Sequence, residues 1–293
     1  MQKALVVKLV DTKDLKSLPF WECQFESGRG HQKIMKKKFH FIFDKNKKSK
    51  NFRKKIFKKF KNYSANKASH FIIAGGDGFM LANLKKYYKY KKPFYGVNCG
   101  SFGFLMNNSN GYDLEKKITK ANNIIINPLE ITSSPKYRFK KRLIAINEVS
   151  LFRQSRQTAS IELKVGKKII IKKLIGDGIL VSTPAGSTAY NLSVNGPILS
   201  LNSGKLAITP ISPFRPRRWK GKITSNNSIV RIKNLDKKKR PVAAVADNVE
   251  IRNIQHLSIR TNKKIKINLL YDNNRNLAKK IKLEQIRKIK RTS

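Results

Sequence analysis

The feature that most constrains this chain is a junction: the apolar run His70-Phe71-Ile72-Ile73-Ala74 passes directly into Gly75-Gly76-Asp77-Gly78 and then into Phe79-Met80-Leu81-Ala82-Asn83-Leu84. A strand that turns at once into a helix is the repeating step of an α/β sheet, and ligands gather at the carboxyl ends of such strands. Three glycines around one carboxylate let the backbone approach a guest closely and place a potential base beside it. Phosphates suit the position, because the first amides of the helix are unpaired and carry the positive end of its dipole. The same four residues also fit a tight turn with an Asp capping the helix. Taken alone, they leave both readings open.

The neighbouring pattern supports the α/β reading. Phe39-His40-Phe41-Ile42-Phe43 reads as a buried strand, residues of about 48–62 as a basic amphipathic helix, and Pro93-Phe94-Tyr95-Gly96-Val97 as a third strand. That strand ends in Asn98-Cys99-Gly100-Ser101-Phe102-Gly103-Phe104-Leu105, so a second glycine-rich turn falls at a carboxyl end. After about residue 120 the period changes to short runs rich in Ile, Val and Thr: 123–127, 137–146, 159–165, 168–174 and 178–182. Further runs at 228–232, 242–245, 249–252, 257–260 and 264–270 continue the rhythm of an all-β sandwich. The sequence therefore divides into an α/β N-terminal domain at 35–120 and a β-sandwich at 121–275. Residues 276–293 read as a lysine-rich helix with Leu277, Ile281, Leu283, Ile286 and Ile289 on one face, docking back on the N-terminal domain.

Residues 1–34 stand apart. They lack clear periodicity, and their opening run resembles a translated transfer-RNA gene, so the natural start is expected at Met35; a disordered arm is the competing reading. Over 293 residues, 40% are hydrophobic and 9% aromatic, enough to bury a core in each of two domains. No run is long and apolar enough to cross a bilayer, and Asp11, Lys13, Asp14 and Lys16 interrupt any secretory signal. Two cysteines, Cys23 and Cys99, give neither metal spacing nor a disulfide framework, which fits a reducing cytoplasm. Lys+Arg number 65 against 17 Asp+Glu, a formal net charge of +48. The lysines are spread evenly among many Asn and Ile, a pattern that drift toward A/T-rich codons explains without a specific nucleic-acid partner. The field would still attract phosphorylated ligands.

A second block is as dense as the first: Gly176-Asp177-Gly178-Ile179-Leu180-Val181-Ser182-Thr183-Pro184-Ala185-Gly186-Ser187-Thr188-Ala189-Tyr190-Asn191. It offers Asp177 as an acceptor, the amides of Gly186 to Ala189 as donors, and Tyr190 as a stacking surface. A helix cap would account for Ser187 or Thr188, but not for so many small residues together.

With these blocks in place, the chain resembles the bacterial NAD kinases. Gly75–Gly78, Gly96–Leu105, Asn147-Glu148 and Asp177–Asn191 occur in the family's order, and Thr209–Arg218 also looks like family sequence. The resemblance covers Met35 to about Gln285. It implies phosphoryl transfer from ATP, or in some members polyphosphate, to the adenosine ribose 2′-hydroxyl of NAD, giving NADP, with Mg²⁺ accompanying the donor. By that resemblance Asp77 accepts the hydroxyl proton, and Gly75, Gly76 and Gly78 admit the phosphates. Asn147 and Glu148 bind the nucleoside part of NAD, and Asp177 lies near the nicotinamide amide. Ala185, Thr188, Ala189, Tyr190, Asn191, Leu192 and Ser193 line the adenine pocket. A homo-oligomer, dimer or tetramer, is implied as well.

The chemistry agrees independently: an alcohol is a poor nucleophile at neutral pH, and a carboxylate can accept its proton. One departure is Ile175, which stands where some family members carry a basic residue; Lys172, Lys173 and Arg217 are the candidate substitutes. No P-loop or Gly-x-Gly-x-x-Gly is present, and the four histidines form no metal or triad pattern. A lipid kinase using the same turn and a basic nucleic-acid-binding protein with a degenerate fold are the rival readings.

Overall fold

The computed structural model describes residues 37–100, 103–108, 113–134 and 143–272. The expected extension at 1–34, Ser101 and Phe102 of the second glycine motif, residues 137–142 of one expected strand and the expected helix at 276–293 lie outside them.

Three strands, β1 (Phe39–Phe43), β2 (His70–Gly75) and β3 (Phe94–Asn98), pair in parallel with Phe39 opposite His70 and Phe71 opposite Phe94. Their continuous apolar runs follow from burial on both faces. Phe71, Ile73 and Phe94 pack to one side, and Phe39, Phe41, Ile72 and Tyr95 to the other. The basic helix α1 (Lys47–Ile56) stops six residues short of the expected 62. Beyond it the chain runs back along β1, where Tyr63 N donates to Phe39 O at 2.9 Å and Asn62 Oδ1 accepts from Phe41 N at 2.9 Å. Those edge contacts outweigh continuation of a lysine-rich helix with few apolar residues. Helix α2 (Asp77–Tyr87) buries Met80 and Leu84, and α3 (Leu114–Lys120) is capped by the Asp113 carboxylate on Lys116 N.

Two strands assigned by their rhythm to the β-sandwich belong elsewhere. β4 (Asn122–Ile126) and β17 (Ile267–Tyr271) complete the N-terminal sheet, whose order is β1-β2-β3-β17-β4. β17 runs parallel to β3 and antiparallel to β4. The reason is burial: Ile267, Leu269 and Tyr271 face the core that holds Met80, while Leu270 faces the one that holds Tyr95. A strand apolar on both sides requires an interior slot, and the parallel sheet supplies one.

The remaining strands form two antiparallel six-stranded sheets. One contains β7 (Glu148–Arg153), β10 (Gly178–Ser182), β11 (Lys205–Ile211), β12 (Lys222–Ser225), β14 (Val242–Ala246) and β15 (Val249–Ile251), ordered β12-β11-β10-β7-β14-β15. The other contains β5 (Leu129–Ser134), β6 (Leu143–Ala145), β8 (Ala159–Val165), β9 (Lys168–Gly176), β13 (Val230–Asn234) and β16 (His256–Thr261), ordered β6-β5-β16-β13-β8-β9. Leu151, Ile179 and Ile208 of the first sheet share one core with Leu163, Ile232 and Ile259 of the second. This is the expected α/β region joined to a β-sandwich. The chain passes between the two sheets at Asp177, and a side chain at Gly178 would strike the Leu151 carbonyl, so that corner accepts only glycine.

Ile146 and Ala185, from the connections after β6 and β10, are buried in the same core as Met80 and Leu84 of α2. The sandwich therefore presents its Asn147 and Ala185 loops to the helix that begins with Asp77. No helix among the described residues is long and apolar enough to cross a membrane.

Candidate functional site

Gly76 is the N-cap of α2, with extended backbone, and Asp77 is the first helical residue rather than the cap. Its carboxylate turns away from its own helix and ties the two glycine-rich turns together. Oδ2 accepts from Phe104 N at 2.6 Å and Oδ1 from Leu105 N at 3.0 Å. Cys99 N donates to Gly75 O at 2.8 Å, so the two turns also share a backbone bond.

The glycines differ in what they require. A Cβ at Gly75 would meet the Phe79 ring at 2.7 Å, and one at Gly103 would meet Asp77 Oδ1 at 2.8 Å. At Gly76 and Gly78 nothing among the described residues lies within 4 Å of a Cβ, and neither residue has the positive φ that calls for glycine. Packing thus explains Gly75 and Gly103, while Gly76 and Gly78 leave space open among the described residues beside the N-terminus of α2.

Asn147 and Glu148 sit where the chain enters β7. Asn147 O accepts from Thr183 N at 2.9 Å, and a side chain at Gly186 would strike that same carbonyl region, so the 183–188 loop is pressed onto Asn147. Thr183 Oγ1 donates to Ile146 O at 2.7 Å and accepts from Gly186 N at 3.1 Å. Asn147 Oδ1 and Glu148 Oε2 are buried without a hydrogen-bond partner among the described residues. Such atoms are costly unless a ligand satisfies them. Burial, followed by the neighbouring Asp247 carboxylate, pushes the Glu148 acid up to about 7, while Lys85 opposes the shift.

Tyr190 packs its ring against Phe152 at 5.8 Å, and burial together with Asp177 and Glu148 raises its phenol above the ordinary value. Asp177 is held by Arg153, whose Nε lies 2.5 Å from Oδ1 and whose backbone N donates to Asp177 O at 2.9 Å. Ala185 and Thr188 are buried in the loop, Ala189 and Leu192 are partly exposed, and Ser193 is exposed. Asn191 is different. It is fully buried, its Nδ2 donates to Ser187 O and Pro197 O, and its Oδ1 accepts from Thr209 Oγ1 at 2.7 Å, so its amide is committed within the protein.

Two residues escaped the sequence reading. Arg153 pairs with Asp177, and finding it requires the β7–β10 register. Asp247, in the turn between β14 and β15, accepts from three consecutive amides at 146–148. Cys99 is buried and its thiol is raised chiefly by burial, which agrees with a packing role. His40 Nδ1 meets Tyr63 O at 2.7 Å and His70 Nδ1 meets Ser69 Oγ at 2.9 Å, structural roles for both.

The sequence model of the ATP-NAD kinase C-terminal domain matches residues 146–275. An NAD kinase of Zymomonas mobilis is 44% identical over 227 residues, covering 77% of this chain and 88% of the relative. An NAD kinase of Brucella suis is 41% identical over 248 residues, covering 85% and 96%. The crystal structure of an NAD kinase from Archaeoglobus fulgidus in complex with ATP superimposes with a TM-score of 0.66 at 18% identity, covering 84% of this chain and 98% of that one. A yeast NADH kinase complexed with NADH gives a TM-score of 0.61 at 19% identity, covering 76% and 66%. The order of the motifs, the pairing of the two glycine turns and the extent of these matches lead to one conclusion: the chain belongs to the NAD kinase family.

Proposed function

We propose that this chain transfers the terminal phosphoryl group of ATP to the adenosine ribose 2′-hydroxyl of NAD, giving NADP and ADP, with Asp77 as the base. The observation that carries the reading is the open space at Gly76 and Gly78 beside Asp77, where neither packing nor φ calls for glycine. A phosphate approaching the first amides of α2 would fill that space. The hydroxyl proton passes to the Asp77 carboxylate, the ribose oxygen forms the new bond to phosphorus, and the bond to the β-phosphate oxygen breaks as ADP leaves.

On the acceptor side, Asn147 Oδ1 and Glu148 Oε2 offer buried acceptors for ribose hydroxyls. Asp177, oriented by Arg153, suits the nicotinamide amide, and Tyr190 with Ala185, Thr188 and Ala189 suits the adenine. Asn191 supports that wall from behind, joining its loop to Thr209. Partly exposed Leu192 and exposed Ser193 border it.

Among the described residues no three His, Cys, Asp or Glu side chains gather into a cation cage. Mg²⁺ is commonly held by one or two carboxylates together with substrate phosphates, and Asp77 beside the open turn fits that need. When bound, the ion supplies charge neutralisation at the transferring phosphate. The complexes of the two solved relatives, one with ATP and one with NADH, support a nucleotide donor and a dinucleotide acceptor. The proposal includes a cytoplasmic setting and a homo-oligomer, for which edge strands β12 and β15, with Ile223 and Val249 exposed, offer surface.

The test is an assay of purified protein with ATP, Mg²⁺ and NAD, in which NADP is followed by a dehydrogenase that requires it. NADP formation supports the reading, and its absence overturns it. Polyphosphate in place of ATP, or a lipid acceptor in place of NAD, tests the donor range and the lipid-kinase alternative in the same format.

A further inference from the structure

Asp247 has three neighbours that bear on the reaction without touching a reacting atom. Its Oδ2 accepts from Ile146 N at 2.8 Å, and its Oδ1 from Asn147 N at 2.9 Å and from Glu148 N at 3.3 Å. The backbone answers in kind, because Asp247 N donates to Glu148 O at 3.1 Å. Asp247 adopts φ +52, in the left-handed region that Asp tolerates better than most residues, and this turns the carboxylate back onto the start of β7.

The same carboxylate meets Lys85 of α2, with Nζ 2.8 Å from Oδ2. The pair is sheltered, at 5% exposure for the Asp247 side chain and 18% for Lys85. Lys85 Nζ also donates to Ala246 O at 3.3 Å and Asn248 Oδ1 at 3.2 Å, so it approaches three acceptors on the β14–β15 turn. Lys85 lies eight residues after Asp77 in one helix, about 12 Å along its axis.

We propose that Lys85 and Asp247 are positioning residues for phosphoryl transfer, forming a strut that fixes the Asn147–Glu148 strand end against the helix that begins with Asp77. The inference rests on the proposed NAD kinase reading. Asp247 sets the strand end, Lys85 locks it to α2, and the rigid helix carries that registration to Asp77. Packing of Ile146 against Met80 and Leu84 holds the two halves together in any case; the strut determines their registration. A reacting hydroxyl displaced by about an ångström can lose roughly 100-fold in rate while still binding.

The alternative is a sheltered ion pair that serves stability alone. Lys85→Met, Lys85→Arg, Asp247→Asn and the double variant Lys85→Met/Asp247→Asn separate the two, with melting temperature measured for each and assays run well below it. In Lys85→Met the three amides keep their acceptor, so the expected result is a kcat loss of roughly 10- to 100-fold with KM for NAD nearly unchanged. Lys85→Arg restores most of kcat. Asp247→Asn loses kcat and also raises KM, and the double variant is no worse than the weaker single, as members of one unit behave. Full kcat in a folded Lys85→Met, or single effects that simply add, overturns the proposal. Should Lys85→Met fail to fold, full kcat in a folded Asp247→Asn has the same force, as does a kcat in a folded Lys85→Arg no higher than in Asp247→Asn. A wild-type chain that makes no NADP overturns the kinase reading and this inference with it, whereas wild-type turnover with indifferent variants removes the strut alone.

Discussion

Nε of Arg153 lies 2.5 Å from Oδ1 of Asp177, at the corner where the chain leaves one sheet of the sandwich for the other. Both side chains are about one-third exposed, at 37% each, so solvent screens the pair and its worth is in orientation more than in stability. Arg153→Ala is therefore expected to raise KM for NAD by roughly 3- to 10-fold, with kcat and melting temperature little changed. Steady-state kinetics at saturating ATP give the answer, and an unchanged KM removes Asp177 from nicotinamide recognition.

Asp77 carries a sharper expectation. In Asp77→Asn one carboxylate oxygen becomes an NH₂ group, which would face either Phe104 N or Leu105 N, donor against donor. About 1–2 kcal/mol of stability should be lost, and kcat should fall by roughly 100- to 10,000-fold if the group is the base. Single-turnover measurements with preformed donor complex isolate the chemical step. A near-normal rate there would assign Asp77 to joining the glycine turns only.

Gly78 and Gly186 provide a contrast in which stability and activity move in opposite directions. Gly78 is an exposed residue in the first turn of α2, with nothing within 4 Å of a Cβ, so Gly78→Ala should hold or raise stability, by up to about 1 kcal/mol. If phosphate occupies that space, the same methyl lowers activity sharply. Gly186→Ala drives a methyl into the Asn147 backbone and should destabilise the fold by about 2 kcal/mol or more. Urea melts and NADP formation on both variants read the difference, and an active Gly78→Ala means that the open space is not a phosphate site.

Much of this architecture was legible in sequence because short-range rules govern it. The limits of β1, β8 and β10 follow from apolar runs bounded by turn residues, and both glycine turns fall at carboxyl ends of parallel strands as expected. The failures share a cause, which is dependence on distant partners. β17 reads as an ordinary β run, and only its two-sided burial between β3 and β4 places it in the N-terminal sheet. β11, with Pro210 within it, is missing from the strands expected of the sequence, yet it lies between β10 and β12. Arg153 and Asp247 have no local signature at all. Their roles arise from register and from a turn a hundred residues from the amides it holds.

Glu148 links the site to pH. Its acid is raised to about 7 from an ordinary 4.5, first by burial and then by Asp247, with Lys85 opposing. The native state therefore keeps a proton that the unfolded chain releases, and stability falls as pH rises from about 4.5 through 7 and then levels off. His70 acts in the opposite sense. Burial, then Lys37, lowers it from 6.5 to about 4, so its contribution is complete above 6.5 and is lost as pH falls toward 4. The two slopes oppose one another between about 4.5 and 6.5. Glu148→Gln mimics the protonated acid at every pH and removes one slope. Its stability should match wild type near pH 4, where the acid is protonated in both the folded and the unfolded chain, and exceed it at pH 8 by about 3 kcal/mol. Urea midpoints at the two pH values measure this directly, and an equal gain at both would show that the mutation improves packing rather than relieving a buried charge.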